Sequence, residues 1–268
     1  MQGKIILLSA SPYSALSTIV ATMLKENDVE IEMIVVRNVF NKKRLIQEFK
    51  HSGVGLVNKI IKKIVFQKLV SIGFDLKNID GFTKYYKSKG IKYKSLIDFS
   101  TQNNIKLIVT NDFHTEEVIS NIKDSKADMV VFSGGGLIRK PMLESTPIGV
   151  LNCHMGILPE YRGMDCTNWA VLNNDFEKIG YTTHLMETGV DTGPIVKRYF
   201  VDTKNAKSIS EIDARIEFGM AEAIVESTLN LLNKNVSFVH QKESEGLQYY
   251  MMAPELQKHT NKLYLNVN

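Results

Sequence analysis

Residues 4–36 read KIILLSASPYSALSTIVATMLKENDVEIEMIVV. Lys4 to Ser9 is an unbroken aliphatic run of the kind found in a parallel strand covered on both faces. From Ser14 to Lys25 the apolar residues Leu16, Ile19, Val20, Met23 and Leu24 recur at helical spacing, and Ile31 to Val36 is a second β-rich run. The stretch therefore opens the chain as a βαβ unit. Its first turn, Ser11-Pro12-Tyr13-Ser14, holds no Gly-x-Gly-x-x-Gly, so no NAD or FAD is expected there. Outward from this unit the same reading gives a strand over Ile105–Val109, a helix over Thr115–Ile122 and a strand over Asp128–Phe132 that runs into Ser133-Gly134-Gly135-Gly136. A further strand follows at Gly149–Cys153. Ser208 to Leu232 reads as one long helix, opened by Ser208 with Glu211 three residues on as a capping box. A strand pair near Val236–Val239 and Gln248–Met251 closes the chain.

The composition agrees with a packed α/β protein. The chain has 268 residues, 44% hydrophobic and 23% charged, which excludes disorder as its dominant state and suffices for a large core. Cys153 and Cys166 are its two cysteines, too few for a disulfide framework or a four-thiolate zinc site. They suggest a reducing compartment. The first apolar run is too short for a signal peptide and no stretch reaches about 20 apolar residues, so a soluble, cytoplasmic protein without a membrane span is expected. The formal net charge of +4 conceals an asymmetry: residues 37–68 hold nine basic side chains against one acid, Glu48, so the remainder is net acidic. Overlapping this basic stretch, Gly53 to Leu69 has the pattern of a basic amphipathic helix. The basic segment suits contact with phosphate, nucleic acid or an anionic membrane surface, and equally a solvated helix face, whereas the amphipathic helix suits a membrane surface or, more commonly, a cover for the domain's core.

Chemistry concentrates further along. Asn152 and His154 lie two apart at a strand end, so their side chains share a face. Thr183-His184 sits in another β-like run, and Val190-Asp191-Thr192-Gly193-Pro194 forms a loop around an acid. An amide to bind an oxyanion, an imidazole to move a proton near neutrality and a carboxylate to orient that imidazole make an acyl-transfer site. Cys153, His154, Cys166 and His184 lack paired metal-ligand spacing, so no metal is expected. The triple glycine lacks the Gly-Lys-Ser/Thr of a P-loop, but its backbone can approach a flat ring closely.

The run Leu151-Asn-Cys-His-Met-Gly-Ile-Leu-Pro-Glu-Tyr-Arg-Gly163, followed by Thr183-His184 and Gly189-Val-Asp-Thr-Gly-Pro-Ile195, resembles the signature of the folate-dependent formyltransferases. That family includes glycinamide ribonucleotide, methionyl-tRNA and sugar N-formyltransferases. The resemblance implies an α/β, Rossmann-like fold: a mostly parallel twisted sheet with helices on both faces and a small C-terminal appendage. A catalytic unit would span 1–205 with a basic helical insertion at about 39–92, and a long helix and tail would fill 206–268. It implies Asn152, His154 and Asp191 as catalytic residues. For the co-substrate 10-formyltetrahydrofolate it implies Gly134, Gly135, Gly136, Leu137, Ile138, His184 and Val190 as binding residues. In the implied reaction an amine attacks the formyl carbon, Asn152 and protonated His154 hold the oxyanion, and Asp191 raises the His154 pKa and, directly or through water, helps remove the amine proton. One departure is Met155-Gly156, where the family usually has Pro-Ser. The 73 residues after Ile195 lead us to expect no C-terminal barrel of the methionyl-tRNA type, and the first strand at Lys4 no preceding regulatory domain. A nucleotide-linked amino sugar is then the leading acceptor. A methionyl-tRNA or glycinamide ribonucleotide enzyme, a formyltetrahydrofolate hydrolase and a catalytically silent folate- or nucleic-acid-binding protein are the alternatives.

Overall fold

A computed structural model describes residues 3–38, 90, 92–134 and 136–267. The expected helix at Gly53–Leu69, nearly all of the basic segment, and Gly135 lie outside the described residues. Strand β1 (Lys4–Ser9), helix α1 (Ala15–Glu26) and strand β2 (Glu30–Arg37) form the βαβ opening, with β1 and β2 parallel. Ser14 caps α1, its hydroxyl accepting from the Ser17 amide. There follow α2 (Leu96–Gln102), β3 (Lys106–Thr110), α3 (Glu116–Asp124), β4 (Met129–Phe132), α4 (Lys140–Leu143) and β5 (Val150–His154). Next come β6 (Tyr161–Gly163), α5 (Cys166–Leu172), β7 (Gly180–Leu185), β8 (Ile195–Phe200), α6 (Ile209–Leu232), β9 (Leu247–Tyr249) and α7 (Pro254–Val267).

Seven strands form one sheet in the order β3-β2-β1-β4-β5-β7-β8. It is parallel except at β7, which runs antiparallel to both β5 and β8. The period of two along each strand divides the interior. Ile5, Leu7, Ile34, Val36, Met129, Val131 and Leu151 face one core with α1 and α6, whereas Ile6, Leu8, Met33, Val35, Val130 and Val150 face the other with α3. Both faces are covered, which is why β1 and β4 read as unbroken apolar runs. Helix α6 contributes Ile212, Ile216, Ala221 and Ile224 to the same core as β1, so the long helix belongs to the sheet's main layer. The Ser208 hydroxyl accepts from the Glu211 amide as expected, but the Glu211 carboxylate reaches the Lys207 amide, one residue before the position a capping box requires.

The tail differs from the expected strand pair. Val239 forms only an isolated bridge to Ile195, while β9 lies parallel to β6 in a separate two-stranded sheet. The two segments pair with the body of the protein rather than with each other, because the free edges offered by β8 and β6 satisfy their main-chain groups.

The order of the strands reverses between β1 and β4, since β2 and β3 lie on one side and β5 on the other. Open α/β sheets hold their ligands at the carboxyl ends of strands flanking such a point. A chain of hydroxyls fastens this place. Ser17 Oγ lies 2.8 Å from Ser9 Oγ and 2.7 Å from Ser133 Oγ, and Ser133 donates to the Leu8 carbonyl at 3.0 Å.

Candidate active site

The register Phe132↔Asn152 places the loop that follows β4 beside the carboxyl half of β5, and Asn152↔His184 brings β7 alongside. Asn152 and His154 project from the same face of β5, as their spacing predicts. Both lie within the strand, and His184 within β7, so only Asp191 is on a loop. Asp191 adopts φ 53°, a left-handed conformation that Asp and Asn tolerate better than most residues.

The four side chains converge. Asp191 Oδ2 is 3.4 Å from His154 Nδ1 and Asp191 Oδ1 is 3.6 Å from His184 Nε2. Asn152 Nδ2 is 3.2 Å from His184 Nε2. His184 Nδ1 lies 3.0 Å from the Leu185 carbonyl, which can only accept, so His184 carries its proton on Nδ1 and Nε2 accepts from the Asn152 amide. One N–H of Asn152 is thereby fixed, and the other has no hydrogen-bond partner among the described residues. His184 is only 1% exposed, behind Asn152 and Asp191, where it orients the amide rather than lining the surface.

The His154 ring is fixed in the same way. Its Nε2 lies 2.7 Å from the Tyr161 carbonyl and therefore donates to it, which leaves Nδ1 toward Asp191. Burial is the largest influence on its pKa and pulls it below the ordinary value; Asp191 and the Tyr161 contact oppose this without reversing it. This direction runs against the expected protonated His154: desolvation outweighs the nearby carboxylate and favours the neutral imidazole. For Asp191 burial alone would raise the pKa. The close approach of the His184 and His154 rings and the Gly163 amide, which donates to Oδ2 at 2.9 Å, together bring it down to about 2. Cys166 Sγ stands 3.6 Å from His154 Nε2, but burial pushes its thiol up to about 12, so it is a protonated filler and not a nucleophile.

The loop after β4 is held at both ends, by Ser133 at its start and by His114 at its finish. His114 Nε2 accepts from the Arg139 amide at 3.0 Å while Nδ1 faces Asp112 Oδ1 at 2.8 Å. Between these points Gly134 and Gly136 take φ of 98° and 100°, conformations that glycine adopts without strain. Leu137 is 73% exposed and Ile138 is buried. The main-chain groups of Leu137 and Ile138 have no hydrogen-bond partner among the described residues. Unpaired peptide edges beside an exposed apolar side chain fit a flat ring that carries donors and acceptors, as a pteridine does. Val190 adjoins Asp191 on the neighbouring loop.

Sequence reading had no signal for several participants. The Tyr161 carbonyl and the Gly163 amide are main-chain groups that any residue could supply. Gln241 lies 50 residues beyond Asp191 and donates to the Asp191 carbonyl at 3.1 Å and the Gly193 carbonyl at 2.6 Å. Among the described residues no group of His, Cys, Asp and Glu is disposed to hold a metal ion, and no helix is long and apolar enough to cross a membrane.

Residues 77–228 match the family described as formyl transferase. That span exceeds half of the chain, and the chain belongs to this family, whose members use a formyl-tetrahydrofolate donor. Among curated relatives, the methionyl-tRNA formyltransferase of Bacteroides thetaiotaomicron is 23% identical over 176 residues, covering 66% of this chain and 54% of that protein. The methionyl-tRNA formyltransferase of Geotalea daltonii is 31% identical over 135 residues, covering 50% and 42%. The chain thus spans about half the length of the curated relatives it matches. Among solved structures, glycinamide ribonucleotide transformylase 1 from Symbiobacterium toebii aligns with TM-score 0.56 and 14% identity over 87% of this chain and 89% of its own. A sugar N-formyltransferase from Shewanella sp. aligns with TM-score 0.56 and 15% identity over 99% and 88%. The Helicobacter canadensis N-formyltransferase, solved with folinic acid and dTDP-3-aminofucose, aligns with TM-score 0.55 and 15% identity over 99% and 81%. At these identities the likeness is one of fold.

Proposed function

We propose that this protein transfers a formyl group from 10-formyltetrahydrofolate to the primary amine of an amino sugar carried on a nucleotide. The convergence of Asn152, His154 and Asp191, with His184 behind them, is the observation that carries the transfer chemistry. Gly134, Gly136, Leu137, Ile138 and Val190 would hold the donor.

The residues divide the work by their electrostatics. The amine nitrogen attacks the formyl carbon, forming a C–N bond as the carbonyl π pair moves onto oxygen. The N–H of Asn152 not used by His184 stabilises that oxyanion. The contacts that lower the Asp191 pKa hold its carboxylate ionised, so in this reading Asp191 serves as a fixed charge beside His154. Neutral His154 accepts the proton on Nδ1, where the new imidazolium is paired with Asp191. The same proton then passes to N10 of the folate as the C–N10 bond breaks, giving a formamide and tetrahydrofolate.

A sugar N-formyltransferase and an N-formyltransferase solved with dTDP-3-aminofucose align over 99% of this chain and over 88% and 81% of their own, which supports the nucleotide-sugar acceptor. The methionyl-tRNA formyltransferases among the curated relatives support initiator tRNA as a second reading. Incubation with 10-formyltetrahydrofolate and separate acceptors (dTDP-linked and UDP-linked amino sugars, glycinamide ribonucleotide and methionyl-tRNA) would decide, with tetrahydrofolate release as the signal. Release that requires an amino-sugar nucleotide is expected. Release only with tRNA, or with no acceptor at all, would overturn the proposal.

A further inference from the structure

The Asp191 carboxylate is fixed by the Gly163 amide, but the main chain that carries it is fixed from elsewhere. Gln241 lies beyond α6, two residues after Val239, whose amide and carbonyl both pair with Ile195 at the start of β8. That pairing brings the Gln241 side chain to the far side of the 191–193 turn, and its Nε2 donates to the carbonyls of both Asp191 and Gly193. The same segment is tied to β6. Arg162, 3% exposed, donates through Nη2 to the Lys242 carbonyl at 2.9 Å and approaches Gln241 Oε1 at 3.5 Å. Arg162 stands between Tyr161, whose carbonyl orients His154, and Gly163, whose amide holds Asp191. One amide side chain therefore joins the loop that bears the carboxylate to the strand that orients the imidazole.

We propose that Gln241 is a positioning residue for Asp191. With both carbonyls held, the left-handed turn at Asp191 has one arrangement, and the carboxylate stays between the two imidazoles. Without the amide the turn is anchored mainly through the carboxylate's own bond to Gly163, and the carboxylate drifts from His154. A displacement of about 1 Å at such a group can lower turnover by about 10²-fold. The inference rests on the reading of Asp191 as the charge that supports His154, and it makes the C-terminal tail part of the catalytic apparatus.

Gln241→Met keeps the side chain's length and removes its donors, so it is the decisive variant. With its melting temperature and donor binding close to wild type, Gln241→Met should lower kcat by about tenfold or more and leave the KM for 10-formyltetrahydrofolate unchanged. Its pH–rate profile should move its acid limb to lower pH, because His154 loses Coulombic support. NMR titration of the His154 ring, assigned with His154→Gln, should show the same downward shift without reference to activity. In an Asp191→Asn background Gln241→Met should have less than about a twofold further effect, since residues acting as one unit are not additive. Wild-type kcat and His154 titration in Gln241→Met, or an equal loss in both backgrounds, would overturn the inference alone. Wild-type turnover in Asp191→Asn would instead overturn the reading beneath it.

Discussion

His154 Nε2 and the Tyr161 carbonyl oxygen lie 2.7 Å apart, and Gly156 leaves room for that contact. A Cβ at position 156 would stand 2.6 Å from His154 Nε2, 2.6 Å from the Tyr161 carbonyl oxygen and 3.0 Å from Cys166 Cβ. The departure from the family's usual Pro-Ser is thus coupled to the way this chain fixes its imidazole. The hydroxyl is absent because its carbon would occupy the place where the ring's proton is bonded.

Restoring that hydroxyl should therefore harm the protein. Gly156→Ser is expected to lower turnover by about tenfold or more, the scale of a misplaced acid–base group, and Gly156→Ala by a similar amount. The shared cause is the Cβ and not the hydroxyl. Single-turnover formyl transfer measures the effect, and NMR of the His154 ring shows whether the tautomer has changed. Wild-type rates in both variants would mean that the ring orientation is unimportant.

The depressed pKa of His154 sets the acid side of the pH profile. His154 accepts a proton, so it must enter the reaction neutral, and the rate should fall as pH drops through its pKa. Because burial lowers that pKa, the midpoint should lie below the unperturbed value of about 6.5. An inflection above that value in kcat/KM would contradict the balance between burial and Asp191. His154→Ala should lose at least about 10²-fold in turnover across the whole range, the contribution of one general acid–base group.

Asp191 can be tested without disturbing its backbone. Asn tolerates a left-handed φ about as well as Asp, so Asp191→Asn removes the charge and keeps the turn. The melting temperature should stay near wild type while turnover falls by about 10²-fold, because the imidazolium formed on His154 loses its counter-ion. The acid limb should also move to lower pH. A large loss of turnover with the limb unmoved would assign Asp191 a role other than supporting His154.

The legibility of this chain follows what one sequence can encode. The alternation that divides β1, β2 and β4 between two cores is a property of residue types, and the expected boundaries agree with those strands to within about two residues. Asn152, His154, His184 and Asp191 each have an ordinary structural reading alone, and were recognisable through their joint order and spacing, which resemble the formyltransferase signature. The capture of His154 by Tyr161 and of Asp191 by Gly163 uses main-chain atoms, which leave no trace in residue identity. Gln241 is a polar residue in a polar tail, and only the pairing of Val239 with Ile195 gives it meaning. The charge state of His154 also escaped the sequence, since it depends on burial against one carboxylate and both quantities are three-dimensional.

Stability offers a test with no enzymology in it. Gly219 lies in the interior of the 24-residue helix α6, where Gly→Ala ordinarily stabilises by about 0.5–1 kcal/mol. At this position an added Cβ would overlap the Tyr181 hydroxyl, and it would lie 2.6 Å from Tyr181 Cζ. Tyr181 cannot swing away readily, because its ring is stacked on Tyr199 with centroids 5.0 Å apart and planes 8° from parallel. Overpacking of this kind typically costs about 1–3 kcal/mol, which exceeds the helix gain. Gly219→Ala should therefore lower the melting temperature by several degrees instead of raising it. Tyr181→Phe removes the overlapping atom, so the double variant should lose less than the sum of the two single changes. A rise in melting temperature in Gly219→Ala would mean that α6 and β7 do not approach as closely as described.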